Sequence, residues 1–440
     1  MMLKSKNKKK IGFCLILGTY MIFLLFYVYI YWKGARIGKN KLCINSIVPP
    51  VLLNFNECVT HLDTLPNLTD THIWQQVGNA QIWIYSAYYE ETSHGDLIRL
   101  LVMKDRRLNR HLSCLIQYKD GASVCVSKGA ILENIEAYQW PVKPHQGDFY
   151  VCKVPNYLSQ VSHVTISENC DCSDITNKVK VHHQKLESKI DFGVCLEGAL
   201  YGNISADLII ESIEFNKMMG AQKIIVYIES VQEHIMPILQ YYQKQGILEY
   251  IEWKTKRYLK NLDIFYYGQP LLLNDCLYKM KHHTKYVTFV DIDEFLMPYG
   301  DANTWKDLIQ EYSNRNSHTA AWLAQNSFFI KPPKNLQKNP APSVLSHTYR
   351  SLEYFEPPIR SKYIARVDMI KSAGVHKPLN LQVGYKYDKL SPDIAQLHHM
   401  KQEAEIETQH GFKEDLSAQK YAKSLTRAVL EAKENISKFI

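Results

Sequence analysis

Between residues 190 and 296, stretches with the composition of β-strands alternate with stretches that have the pattern of helices. Strands are predicted at DFGVCLEGAL, QKIIVYIES, ILEYIEW and KYVTFVDIDEF, and the first two helices between them end at Gly220 and Gly246. This alternation predicts βαβ units on a largely parallel sheet, because parallel strands need long crossover connections. The predicted fold class is therefore α/β, and sheets of this kind bind ligands at the carboxyl ends of their strands.

Three carboxylates follow the last of these strands, in KYVTFVDIDEFLMP. The run YVTFV is β-branched and aromatic without alternation, which indicates a central strand covered on both faces. Asp291 and Asp293 point to the same side while the strand stays extended, and Glu294 then points elsewhere. Two converging carboxylates repel each other unless a cation lies between them, which favours Mg²⁺ or Mn²⁺ coordinated further by substrate phosphates. A turn in which the aspartates only cap the next segment is the alternative.

An uncharged stretch of 22 residues, 11–32, precedes this region. At about 1.5 Å per residue, a helix of this length crosses the roughly 30 Å hydrocarbon core of a bilayer, and its far end carries an aromatic belt. A cleaved signal peptide would have a shorter apolar region ending in small residues. We therefore predict a cytoplasmic tail at 1–10 and an uncleaved signal anchor at 11–32. Basic residues flank both ends, so the positive-inside rule favours this orientation only slightly.

The net charge of +8 comes from the segment around this stretch. Residues 1–41 contain nine of the 52 basic residues and no acidic residue, which leaves 43 basic and 44 acidic residues elsewhere. The remainder is thus close to neutral, and a nucleic-acid partner is disfavoured. With 46% apolar residues the chain can form a sizeable core, so disordered and collagen-like classes are excluded.

The region between the anchor and the α/β part is predicted to have two sections. Residues 33–75 are mixed and polar and are interpreted as a stem, whereas short strand-like runs in 76–185 indicate a β-rich luminal region. Nine cysteines follow the anchor without a CxxC pair, so disulfides formed in an oxidising lumen are favoured over zinc sites, also for Cys170 and Cys172. Cys276 is interpreted as a core thiol or half of a disulfide. N-glycosylation sequons agree with a luminal body and lie at Asn67, Asn203 and Asn435.

Several blocks of the sequence resemble, in the right order, those of glycosyltransferase family 92. They are CLEGALYGN, IIESIEFNKMMGAQKIIVYIES, GQPLLLNDCLYK, KYVTFVDIDEFLMP, RSKYIARVDMIKSAGVHKP and LHHMK. The resemblance covers about residues 190–402, and residues 403–440 are predicted to form a helical tail. It implies a GT-A fold, an inverting mechanism and a single-pass type II protein of the Golgi membrane with a luminal catalytic domain. It further implies that galactose is transferred from UDP-galactose to glycan acceptors on glycoproteins or glycolipids.

The resemblance also implies a metal site. The family's DxDE element maps onto residues 291–294, so Asp293 is expected to hold a metal that neutralises the leaving diphosphate. Asp291 is expected to contact that metal, its water or the ribose. The closing HY[RK] element maps onto residues 399–401, which makes His399 the predicted further ligand and His376 the second choice. Met400 stands where the family usually has an aromatic residue, and the adjacent His398 leaves this alignment open by one position.

Other positions are predicted to bind the donor substrate. Lys362 or Lys401 is expected to offset pyrophosphate charge. Asp275 and Gln269 match family positions that would hold the uridine or ribose, and burial within the fold is the alternative for both.

An inverting transfer also needs a general base for the acceptor hydroxyl. The candidates are Glu294, Glu356 and Asp368, and the sequence does not choose among them. The leading function is a metal-dependent hexosyltransferase. The alternatives are an inactive, membrane-anchored lectin-like or adhesion protein and a divalent-metal phosphohydrolase.

Overall fold

A computed structural model shows the architecture of most of the chain. It describes residues 73–135, 142–156, 159–183, 189–196, 198–258, 263–281, 283–313, 317–332, 342–352, 355–402 and 411–440. The predicted tail, anchor and nearly all of the stem lie outside the described residues, as does Asn67. None of the described helices is long and apolar enough to cross a membrane.

The first part of the described chain is a closed barrel. Its strands are β1 Gln75–Gln76, β2 Ile82–Glu90, β3 Leu97–Asp105, β4 Leu112–Tyr118, β5 Ser123–Asn134, β6 His145–Lys153, β7 Val161–Ser167 and β8 Val179–His182. They follow the order β1-β2-β3-β6-β5-β4-β7-β8, and β8 returns to pair with β2. Closure leaves β2–β8 without a free edge, and alternate aliphatic residues fill the interior.

Two disulfides hold this barrel, and both involve cysteines expected to be oxidised. Cys114 on β4 bonds to Cys152 on β6 inside the barrel, and Cys125 bonds to Cys172. The prediction that Cys170 and Cys172 each form part of a disulfide is thereby confirmed for Cys172.

The predicted βαβ alternation is confirmed after residue 189. The strands are β9 Ile190–Leu196, β10 Leu200–Gly202, β11 Ala221–Val231, β12 Leu248–Glu252 and β13 Thr284–Val290. The helices between them are α1 Ala206–Met218, α2 Met236–Lys244, α3 Thr255–Tyr258 and α4 Gln269–Lys281. Strands β9, β10, β11, β12 and β13 are mutually parallel. Their carboxyl ends therefore meet at one edge of the sheet.

The later part of the chain adds further strands, most of them to this sheet and in mixed orientation. These are β14 Glu294–Pro298, β15 Thr319–Ile330, β16 Tyr349–Ser351, β17 Lys362–Arg366, β18 Ile370–Ser372, β19 Asn380–Leu381, β20 Lys386–Lys389, β21 Ala395–Met400 and β22 Phe412–Glu414, with helices α5 Trp305–Ser313, α6 Ser343–Ser346 and α7 Ala422–Phe439. Strand β17 lies between β13 and β15, and β21 lies between β14 and β15. Strands β18 and β19 form a separate two-stranded sheet.

Different layers cover the two faces of this sheet. One core contains apolar residues of α1, α2 and α7, and the other contains residues of α4 together with the outer face of the barrel. Cys276 on α4 bonds to Cys195 on β9, so its interpretation as a disulfide half is confirmed. In α7, Leu425, Val429 and Ala432 are buried, and this helix begins only at Ala422 within the helical tail predicted at 403–440.

Candidate active site at the carboxyl edge of the sheet

The turn between β13 and β14 carries the predicted acidic residues. The amide N–H of Asp291 donates to the Glu294 carboxylate over 2.9 Å, and the amide N–H of Glu294 donates to the Asp291 carbonyl over 3.1 Å. The Asp293 carbonyl accepts from the amide N–H of Met400 over 2.9 Å. The chain is therefore not extended here, and the expectation that Glu294 points away from the two aspartates is wrong. The turn brings its carboxylate into the same cluster.

Each aspartate in the turn is paired with a lysine that the sequence had assigned to phosphate. The Nζ atom of Lys362 lies 3.1 Å from Asp291 Oδ2 and 3.4 Å from Glu294 Oε2. The Nζ atom of Lys401 lies 2.8 Å from Asp293 Oδ2. The side chain of Lys362 is 1% exposed, whereas those of Asp291 and Asp293 are 33% and 26% exposed. The two aspartates therefore remain within reach of a ligand from solvent.

His399 bridges two of the carboxylates, because β21 pairs with β14 in a register that sets it opposite Glu294. Its Nε2 lies 3.4 Å from Asp293 Oδ2, and its Nδ1 lies 3.3 Å from Glu294 Oε1. The neighbouring His398 is buried elsewhere, stacked on Phe329 with centroids 3.8 Å apart. The structure thus brings His399 to the cluster and excludes His398, which answers the one-position ambiguity of the alignment.

The protonation preferences of the two inner carboxyls differ. Burial alone would raise the pKa of Asp293, but the hydrogen bond and charge of His399, together with Lys401, lower that pKa well below its usual range. Burial raises the pKa of Glu294, and the charges of Lys362 and His399 offset this only in part. The side chain of Glu294 is 3% exposed, so it contacts the cluster from the protein interior and is not accessible to an acceptor substrate.

Two further predicted residues lie beside Asp291. Gln269 and Asp291 flank Gly198, which lies in the loop after β9 and has a φ of +83°. A Cβ atom placed on this glycine would lie 4.0 Å from Asp291 Oδ1 and 4.0 Å from Gln269 Nε2. His376 has its Nδ1 atom 3.3 Å from the carbonyl of Ser361. Burial and the charge of Lys362 lower the pKa of His376 to about 4, so its imidazole is neutral at physiological pH. Gln269 and His376 therefore belong to the cleft, on the side of Asp291.

Asp275 does not lie in this cleft, contrary to the prediction that it holds uridine or ribose. It is fully buried on α4, where Ser86 and Tyr88 donate to Oδ1 over 2.6 and 2.7 Å, and Tyr227 donates to Oδ2 over 2.6 Å. Its carboxylate is thus bound by hydroxyls where the barrel meets the α/β part. The alternative of a buried helix residue satisfied within the fold is the one that the contacts support.

The remaining candidate bases, Asp368 and Glu356, form their ion pairs within the described residues with lysines outside the turn. Asp368 follows β17 at the amino end of β13, roughly 20 Å from the cluster for a seven-residue strand, and pairs with Lys189 over 2.7 Å. It cannot serve as the base there. The Glu356 side chain is 74% exposed and lies 3.3 Å from Lys389. Glu356 directly follows Phe355, and the ring of Phe355 packs against that of Phe328 beside His399.

Sequence analysis missed residues on β15 that complete the site. Asn326 Nδ2 lies 3.2 Å from His399 Nδ1, and the ring of Phe328 lies 5.3 Å from that of His399. A signal was present, because the polar run QNS at 325–327 interrupts a strand that is buried throughout. Only the pairing of β15 with β21 shows which side chains this run faces.

The donor atoms present at the turn fit half of a divalent-metal site. Octahedral ligands at about 2.1 Å from a metal stand about 3 Å apart, which is close to the 3.4 Å between Asp293 Oδ2 and His399 Nε2. One carboxylate and one imidazole are donors that Mn²⁺ accepts. Across the described part of the chain, no group of three or more His, Cys, Asp or Glu side chains is arranged to hold a metal by itself. Water and substrate phosphates would supply further ligands to such an ion.

An α/β protein with partly exposed charged side chains at the carboxyl edge of its parallel strands has the arrangement of a ligand-binding enzyme. The family model of glycosyltransferase family 92 matches residues 190–435, which is more than half of the chain. The protein belongs to this family. The match includes α7 as well as the acidic turn.

Individual relatives agree with this membership. The beta-1,4-galactosyltransferase galt-1 of Caenorhabditis elegans is 24% identical over 57% of this chain and 59% of its own length. The galactan beta-1,4-galactosyltransferase GALS3 of Arabidopsis thaliana is 24% identical over 49% of this chain and 42% of its own length. The chain thus spans about half the length of the curated relatives it matches. A solved structure of S. aureus TarS 1-349 with UDP-GlcNAc is 14% identical over 50% of this chain and 60% of its own, at a TM-score of 0.24, too low to assign a fold.

Proposed function

We propose that this protein is an inverting hexosyltransferase of GT-A fold that transfers galactose from UDP-galactose to a glycan acceptor on a glycoprotein or glycolipid. The observation that carries the proposal is the cluster of Asp291, Asp293 and Glu294 with Lys362, Lys401 and His399 at the carboxyl edge of the sheet. Membership in glycosyltransferase family 92 and the names of two relatives support the reaction class.

The reaction places negative charge on a departing diphosphate, and the cluster supplies groups that stabilise it. Asp293 and His399 would hold a manganese or magnesium ion, which would act as a Lewis acid on the diphosphate when bound. Lys401 lies against Asp293 with part of its side chain exposed, so its ammonium group is available to a phosphate oxygen. Glu294 would accept from the Nδ1–H of His399 and so keep its Nε2 turned towards Asp293, with Asn326 packed beside the ring.

We assign the general base to Glu356. Glu294 is buried between Lys362 and His399, and Asp368 lies at the far end of β13. Glu356 is exposed, and the adjacent Phe355 packs on Phe328 at the border of the cleft. A carboxylate open to solvent there can accept the proton of an incoming acceptor hydroxyl.

We also propose that residues 11–32 anchor the protein in the Golgi membrane with the catalytic domain in the lumen. The three disulfides formed among described cysteines support an oxidising compartment. In sealed microsomes, protease should leave the part after residue 32 intact until detergent is added. Digestion without detergent would contradict this orientation.

The activity is tested by giving the full-length protein UDP-galactose, Mn²⁺ and a panel of glycan acceptors, and detecting the product by mass spectrometry. We expect transfer that is lost with a chelator and restored by Mn²⁺, and that falls about 100-fold or more in Asp293→Asn and in Glu356→Gln. Asp301→Asn, on an exposed turn, is the matched control and should transfer normally. No transfer from any UDP-sugar would refute the proposal. Glycan binding alone would favour a lectin-like protein, and phosphate release from simple phosphoesters would favour a phosphohydrolase.

A further inference from the structure

The segment Phe355–Arg360 lies against residues that hold His399. Phe355 forms an isolated antiparallel bridge with Asn326, the residue whose amide contacts the imidazole. The ring of Phe355 lies 5.4 Å from that of Phe328, which in turn lies 5.3 Å from His399. The segment is therefore attached to the border of the acidic cluster.

Arg360 ends this segment with an exposed side chain held by aromatic rings. Its guanidinium carbon lies 4.9 Å from the ring centroid of Phe355 and 5.2 Å from that of Phe328. The backbone of Arg360 has a φ of +52°, a left-handed conformation uncommon for a residue with a side chain. Stacking on two rings directs the guanidinium while leaving its N–H groups available.

The next two residues tie Arg360 to the other side of the cleft. The hydroxyl of Ser361 donates to the carbonyl of His376 over 2.6 Å, and Lys362 is buried against Asp291 and Glu294. Arg360 is close enough to His376 for its charge to contribute to the lowered pKa of that imidazole. The guanidinium itself stacks on the Phe328 side, next to His399, while the following Ser361 is bound to His376.

The charges around the cleft favour a role for Arg360 in binding an anion. Lys362 is buried against two carboxylates, which leaves the partly exposed Lys401 as the one lysine of the cluster open to a phosphate, beside a turn that carries three carboxylates. Within the described residues, no carboxylate forms an ion pair with Arg360, whose contacts are the two phenylalanine rings. A guanidinium presents planar pairs of N–H donors that match phosphate oxygens.

We propose that Arg360 binds the diphosphate of the nucleotide-sugar donor and of the UDP product. This inference rests on the proposed function, because it requires a nucleoside diphosphate in the cleft. It adds a donor-binding residue to which the sequence analysis assigned no role, although Arg360 is the first residue of the block RSKYIARVDMIKSAGVHKP. An anionic group on the acceptor is the competing ligand, and the experiment separates the two.

The test measures the affinity of the full-length protein for UDP, UMP and uridine by calorimetry in the presence of Mn²⁺. Arg360→Ala should weaken UDP binding by about tenfold or more, with a smaller loss for UMP and none for uridine, because a charge-assisted hydrogen bond to the distal phosphate is removed. Arg360→Lys should recover part of the loss, since it keeps the charge and loses the paired donors. Arg427→Ala, on the exposed face of α7, is the charge-matched control and should bind like the wild type.

Three results would count against the proposal in different ways. If the wild type binds UDP and Arg360→Ala binds it equally well, Arg360 does not contact the diphosphate. If UDP affinity is unchanged while the KM for the acceptor rises, Arg360 serves the acceptor instead. If the wild type does not bind UDP at all, the proposed function fails and this inference fails with it.

Discussion

Two regions of the molecule gather polar side chains around buried or partly buried carboxylates, and they do so with different partners. Around Asp275 the partners are three neutral hydroxyls, from Ser86, Tyr88 and Tyr227, and the carboxylate is fully buried. Burial and the charge of Asp275 raise the pKa of both tyrosines, so they remain donors. Around Asp293 the partners are cationic or ionisable, and part of the carboxylate faces solvent.

Under the proposed function, this difference separates a structural carboxylate from a functional one. Hydroxyl donors from β2 and β11 bind both oxygens of the fully buried Asp275 and join the barrel to α4. At the edge of the sheet, His399 and Lys401 lower the pKa of Asp293 while leaving its carboxylate partly accessible. Ionised, accessible carboxylates beside cations can exchange partners when a metal and a diphosphate arrive.

The largest effect is expected from breaking the hydroxyl network. Asp275→Ala should lower the free energy of unfolding by about 3 kcal/mol, because it leaves three buried hydroxyls without their acceptor. Transfer activity per folded molecule should stay close to that of the wild type. Denaturant unfolding with an activity assay on the same preparation checks both values, and Tyr227→Phe should show a smaller loss of stability. An activity loss that exceeds the unfolded fraction would place Asp275 in the function after all.

A smaller effect is expected at Glu294, which is as buried as Asp275 but belongs to the cluster. Glu294→Gln should reduce activity by about 10- to 100-fold, because the support of His399 is weakened. For the same reason it should raise the Mn²⁺ concentration at which the variant reaches half of its own maximal activity. The thermal midpoint should change little, since Lys362 keeps its contact with Asp291. Unchanged manganese dependence together with a large loss of stability would make Glu294 a structural residue like Asp275.

The effect that is smallest at neutral pH, and grows only in acid, concerns the neighbours His398 and His399, of which one is buried away from the cluster and the other belongs to it. Burial, with a further contribution from Arg350, lowers the pKa of His398 to about 3, and Tyr299 OH lies 2.7 Å from its Nε2. Unfolded chains take up this proton below a pH of about 6.5, so stability should fall by up to about 1.4 kcal/mol per pH unit between about 6.5 and 3. His398→Phe should flatten unfolding free energy against pH in that range. An unchanged slope would show that His398 does not contribute to the pH dependence of the free energy of unfolding.

The sequence was sufficient for most of the α/β fold, because its signals are local. Helix and strand periodicity placed the elements from β9 to β13, and the DxDE run marked the end of the strand that carries the site. Closure of the barrel was not predictable, since it depends on the pairing of β8 with β2 across nearly 100 residues. The same limit applies to the site, where the lysine and histidine partners come from β17 and β21.

The predictions that failed concerned residues whose position depends on contacts between segments far apart in the sequence or on a turn. Asp275 and Asp293 look alike in sequence, and only the hydroxyls contributed by the barrel distinguish them. Glu294 was expected to face away, because extended geometry was assumed through a turn that the structure bends. The segment around Arg360 has no regular pattern, and its place at the cleft depends on Phe355 meeting Asn326.

The central claim is that the edge cluster, and not the Asp275 network, binds the nucleotide diphosphate. The most direct test compares the UDP affinity of the wild type, Asp293→Asn and Asp275→Asn by calorimetry with Mn²⁺, at a temperature where all three are folded. We predict that Asp293→Asn weakens UDP binding by about tenfold or more, while Asp275→Asn binds UDP like the wild type. Normal UDP binding by Asp293→Asn, with the loss found in Asp275→Asn instead, would contradict the account.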